Sequence, residues 1–97
     1  MVYTEIRFFW DEEKNLNNIK KHGLSFDIAR FVFSDPDYIL KYDIDNSNFE
    51  ERFKVIGKLN SNVILVIFTE SKANMIRLIS ARRATNKEKR MYEKFRK

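Results

Sequence analysis

The chain has no cysteine, one proline and only two glycines in 97 residues. Without cysteine there can be no disulfide, thiolate metal site or cysteine nucleophile, and a reducing compartment is permitted. Scarce glycine argues against a loop-rich scaffold, and nine phenylalanines within 43% hydrophobic content argue against disorder. No apolar run approaches the roughly 20 residues of a membrane span. The opening "MVYTEIRFFWDEEK" is too acidic, and its apolar part too short, for a signal peptide. These absences lead us to expect a soluble, cytoplasmic protein with no membrane partner. The length and the lack of repeats, linkers or low-complexity blocks point to a single domain over 1–97.

Charge is present in quantity and unevenly placed. Residues 1–70 hold nine Lys/Arg against twelve Asp/Glu, whereas residues 71–97 hold ten against two. A basic end on a nearly balanced body suits a polyanion or an acidic protein partner, and equally a solubilising surface.

The pattern predicts an α+β protein with elements in the order β-α-α-β-β-β-β-α, an antiparallel sheet with helices packed on it. Residues 2–9 are β-branched and aromatic and read as a strand. Asp11 caps a helix that runs to His22 and stops at Gly23. Ser25 caps a second helix, which must end before Pro36. Strands are expected at 38–44, 49–59, 63–69 and 75–81, joined by short polar turns. The run 63–69 is apolar on both parities and so should be central. Thr85 and Glu88 form a capping box for a last helix with Met91, Tyr92 and Phe95 as its apolar stripe.

Strand parity places Arg52 and Lys54 on one face of the third strand, opposite Phe53 and Val55. If helices cover the Phe53 and Leu78 face, Arg52, Lys54 and Arg77 share the barer one, with Arg82 and Arg83 at its rim. That is a basic, concave surface. Arginine suits a phosphate because it is always charged, planar and bidentate. Several arginines around a phosphodiester would stabilise the charge that develops when a ribose 2′-hydroxyl attacks it, and this needs no metal, cofactor or protein nucleophile. Glu70 is a candidate base; His22 or a tyrosine such as Tyr92 is a candidate for proton transfer. Bland readings stand beside these. His22 can simply cap a helix end, Glu70 can be a solvated charge, Ser80 a small packing residue, and Arg52 and Arg77 can pair with Glu5, Glu50 or Glu51.

The segments "FFWDEEKNLNNIKKHGLSFDIARFVFSDP", "ERFKVIGK", "VIFTE" and "IRLISARRATNKEKRMYEK" together resemble the BrnT-type toxins of bacterial type II toxin–antitoxin pairs. The resemblance implies a RelE-like fold and an RNA endonuclease of the mRNA-interferase kind that halts translation. It implies a BrnA-type antitoxin that blocks the toxin, reaches operator DNA through its own ribbon-helix-helix part, and forms a heterotetramer with it. The family's Lys-His-Gly turn falls on Lys21, His22 and Gly23, its strand arginine on Arg52, its Thr-Glu on Thr69 and Glu70, and its Ser-Ala-Arg on Ser80 and Arg82. The expected catalytic set is therefore Arg52, Arg77, Arg82, His22 and Glu70, with Lys21, Lys54, Arg83 and Ser80 contacting RNA. The alternatives are a non-catalytic basic binding module and a degenerate toxin that acts only as co-repressor.

Overall fold

The computed structural model describes residues 5–96. Of the strand expected over 2–9, Arg7–Phe9 forms as β1, and residues 2–4 lie outside the described residues. Helix α1 (Glu12–His22) starts where the Asp11 carboxylate accepts from the Glu13 N–H at 2.9 Å. It stops at Gly23, whose φ of 70° is a left-handed value that glycine adopts without strain. Acidic Glu12 and Glu13 open the helix and basic Lys20, Lys21 and His22 close it, as the macrodipole favours. Ser25 caps α2 (Phe26–Ala29), which tightens into a 3₁₀ turn over Arg30–Ser34 before Pro36.

Four strands follow: β2 (Ile39–Tyr42), β3 (Phe53–Leu59), β4 (Asn62–Lys72) and β5 (Met75–Arg83). A 3₁₀ turn at Ile44–Asn46 lies between β2 and β3. Strand β3 begins four residues later than expected because Ser47 folds the preceding chain onto itself. The Ser47 hydroxyl donates to the Asp43 carbonyl at 2.6 Å and accepts from the Arg52 N–H at 3.0 Å. Asn60 and Asn74 make the next two turns with positive φ, a conformation asparagine tolerates. Helix α3 (Asn86–Phe95) begins with the predicted capping box of Thr85 and Glu88.

The strands lie in the order β1-β5-β4-β3-β2. Their pairings are antiparallel except that β1 runs parallel to β5. The sheet is thus mixed, not wholly antiparallel as expected. The reason is topological: β1 comes first in the chain but pairs with the last strand, across a connection that contains everything between them.

Helices cover both faces. Phe26, Ala29 and Val32 bury one side of the sheet, against Val55, Val66, Phe68, Leu78 and Ala81. Tyr92 and Met91 of α3 cover Ile56, Val63 and Leu65 on the other; Phe95, expected in the same stripe, is exposed. Each large buried side chain contributes on the order of 1.5–3 kcal/mol. The Tyr92 hydroxyl is buried with them and donates to Asp35 at 2.7 Å. Burial first, and that bond second, push its pKa up to about 12.

Candidate active site

The α3 face of the sheet carries the cations that parity brought forward. Along β4, Ile64, Val66 and Phe68 point into the first core, so Leu65, Ile67 and Thr69 point the other way. Their neighbours on β5 are Arg82, Ser80 and Arg77, and Lys54 on β3 lies beside Ile67. Arg77 and Arg82 are five residues apart and would fall on opposite faces of a regular strand. A β-bulge resolves this. Ile67 pairs with Ser80 and Phe68 with Leu78, which leaves Ile79 as the extra residue.

Arg52, just ahead of β3, and Arg77 converge on one carboxylate. Glu50 Oε1 lies 2.5 Å from Arg77 Nη2 and 3.5 Å from Arg52 Nη2. The segment carrying Glu50 is held to the sheet by Thr69, whose hydroxyl donates to the Glu51 carbonyl at 2.6 Å. An open cleft of about 610 Å³ lies here, with Arg77, Glu50, Glu51 and Glu70 on its walls and Phe9 and Phe53 as its apolar lining. Arg52 Nε is buried without an acceptor.

The remaining cations are engaged elsewhere. Arg82 forks onto Glu88 at 2.8 and 3.1 Å. The bond to Arg82 is the main reason the Glu88 carboxyl stays below its ordinary value, and the same bond raises Arg82. Lys54 lies 3.7 Å from the buried Asp43, in a second cleft of about 340 Å³ between β2, β3 and α3. Arg83 pairs in register with Ile64 and borders a separate cleft with Lys58 and Lys89. Ser80 is half-buried on the α3 face. Lys21 and His22 are exposed at the end of α1 and line neither of the first two clefts. That helix is fastened to the outer side of β5 by Asn18, whose amide donates to the Ala81 carbonyl at 2.8 Å and accepts from its N–H at 3.2 Å.

The surface is therefore less simply basic than strand parity alone suggests. Glu50, Asp43 and Glu88 each meet a cation of the expected set, and the pairing of Arg52 and Arg77 with Glu50 matches one of the bland readings. The three carboxylates of the larger cleft do not gather as a metal ion would require, since no such cluster forms among the described residues. Glu50 is the residue sequence reasoning placed outside the site. The available signal was its candidacy as an ion-pair partner of Arg52 and Arg77; strand parity does not apply to it, since Glu50 and Arg52 both precede β3.

Comparison with known proteins gives two findings. A family model described as "Ribonuclease toxin, BrnT, of type II toxin-antitoxin system" matches residues 10–88. Among solved structures, the 1.1 Å crystal structure of the Brucella abortus ribonuclease toxin BrnT is similar to this chain at 31% identity and a TM-score of 0.63, covering 84% of this chain and 99% of that one. No curated protein matches.

Proposed function

Because this chain belongs to the BrnT family of ribonuclease toxins of type II toxin–antitoxin systems, we propose that it cleaves RNA by metal-independent attack of a ribose 2′-hydroxyl on the adjacent phosphodiester. The observation that carries this reading is the convergence of Arg52 and Arg77 on a single oxygen of Glu50. Two guanidinium groups aimed at one point suit a phosphate oxygen as well as a carboxylate oxygen. In the transition state that phosphate gains charge, and each aimed donor contributes a few kcal/mol to its stabilisation. Arg82 and Lys54 lie on the same face and extend the track for the RNA backbone; Ser80, Lys21 and Arg83 are assigned to more peripheral contacts. Glu70 borders the cleft, whereas His22 stands outside it at the end of α1.

The substrate in this reading is RNA, cut in the cytoplasm in the manner of an mRNA interferase to stop translation, by a RelE-like single domain that needs no cofactor. Type II membership brings an antitoxin protein as partner. We assign it to the BrnA type, in a heterotetramer that binds operator DNA through the antitoxin. A binding-only module is the second reading, and the carboxylate partners of Arg52, Arg77, Arg82 and Lys54 favour it.

One experiment separates the two readings. The purified chain is incubated with RNA in a chelator, and the products are analysed for 2′,3′-cyclic phosphate ends. Cleavage that falls about 10²–10³-fold in Arg77→Ala, with the unfolding midpoint kept, supports the nuclease reading. RNA binding without product, weakened alike by any Lys or Arg change, would leave only the binding module.

A further inference from the structure

The reaction proposed above needs a base, and the expected candidates are poorly placed for it. His22 ends a helix that borders neither of the first two clefts. The Tyr92 hydroxyl is buried and already donates to Asp35. Glu70 lines the larger cleft but makes no ion pair with either arginine.

We propose that Glu50 is the general base of RNA cleavage, an assignment that rests on the nuclease reading of the same cleft. Geometry comes first. A reactive 2′-oxygen stands about 3–3.5 Å from the phosphorus it attacks. A base must lie within about 2.6–3.2 Å of that oxygen. A carboxylate that already touches both phosphate-binding guanidinium groups meets this requirement when the phosphate settles between them and the carboxylate shifts aside.

Such a shift is open to Glu50. It lies ahead of β3 in a stretch without regular structure, and its side chain is 39% exposed at the cleft wall. The arginines also have hydrogen-bonding capacity that Glu50 does not fill. Its contact with Arg52 is long at 3.5 Å, so a better-placed oxygen can take that guanidinium. A phosphodiester brings two non-bridging oxygens, which can occupy both guanidinium groups and release the carboxylate for the hydroxyl.

The step then balances without a cofactor. The 2′-oxygen forms its bond to phosphorus and passes its proton to the Glu50 carboxylate. The bond from phosphorus to the 5′-oxygen breaks, and that oxygen takes a proton from water at the cleft mouth. Glu50 returns its proton to solvent, leaving a 2′,3′-cyclic phosphate and a free 5′-hydroxyl.

The test compares wild type, Glu50→Gln, Glu50→Asp and Arg77→Ala on a short RNA, reading kcat and KM from acid to neutral pH and checking each fold by urea unfolding. Glu50→Gln is expected to lower kcat about 10²–10⁴-fold with KM unchanged or reduced. The wild-type loss of rate at acid pH should vanish in that variant, and Glu50→Asp should recover part of the rate. A folded Glu50→Gln enzyme within threefold of wild-type kcat, or faster, would make Glu50 only a partner of the arginines and overturn the assignment alone. A wild type that cleaves no RNA overturns the nuclease reading itself, and this assignment with it.

Discussion

Asn18 does for β5 what a neighbouring strand would do. Strand β1 reaches only as far as Arg77, so beyond it the edge of β5 has no strand beside it. The side-chain amide of Asn18 fills both needs of Ala81, donating to its carbonyl and accepting from its N–H. A buried backbone group without a partner costs about 1–3 kcal/mol. Asn18→Ala, which strands two such groups, should therefore lower the unfolding free energy by at least about 2 kcal/mol in urea. A loss below about 0.5 kcal/mol would show that water replaces the amide. Glu88 is a second residue with two duties, since it caps α3 and holds Arg82. Its carboxyl is depressed from 4.5, first by the Arg82 bond. The stability it supplies is therefore full above about 4.5 and is lost as pH falls through its lower folded value. In Glu88→Gln, stability should fall less steeply below pH 4.5 than in wild type, and an unchanged acid profile would contradict the linkage.

Helix ends were the most legible elements, because caps are local chemistry. Asp11, Gly23, Ser25 and the Thr85–Glu88 box are each legible from a few neighbouring residues and occur as expected. Pairing partners were not legible in the same way. A three-residue β1 carries no local mark of its parallel partner some 68 residues away, and the bulge at Ile79 exists only relative to β4. That Arg82 shares a face with Arg77 follows from that bulge, so this part of the candidate site was reached at the rim of the face and not within it. Glycine 57 illustrates a constraint between elements. A Cβ built on Gly57 would lie 2.8 Å from Val32 Cγ2 and 3.2 Å from both Asp35 Oδ2 and Tyr38 Cβ. The turn Arg30–Ser34 and the chain after it press directly on the β3 backbone there. Gly57→Ala should cost about 1–3 kcal/mol through this overpacking. The same denaturation assay checks it, and an unchanged midpoint would mean that the turn can retreat without loss.

For the molecule as a whole, composition overstates the charge available to a polyanion. The chain has 19 Lys and Arg, but Arg52, Arg77, Arg82 and Lys54 each meet a carboxylate. Exchanging one anion for another releases fewer counterions than neutralising phosphates with free cations. For single-stranded nucleic acid the slope of log K against log salt is about −0.7 per phosphate contact. If RNA engages Arg52, Arg77 and one or two neighbours, the slope should be about −2 to −3. If the exposed Lys87, Lys89, Arg90 and Lys94 of α3 take part as well, bringing the contacts to about seven or eight, the slope should approach −5 or steeper. Glu88→Gln then sharpens the comparison. By freeing Arg82 it should steepen the slope by about 0.7 if Arg82 lies on the RNA path. An identical slope in the two proteins would place the path away from Arg82 and confine the phosphate contacts to the Arg52–Arg77 end of the sheet.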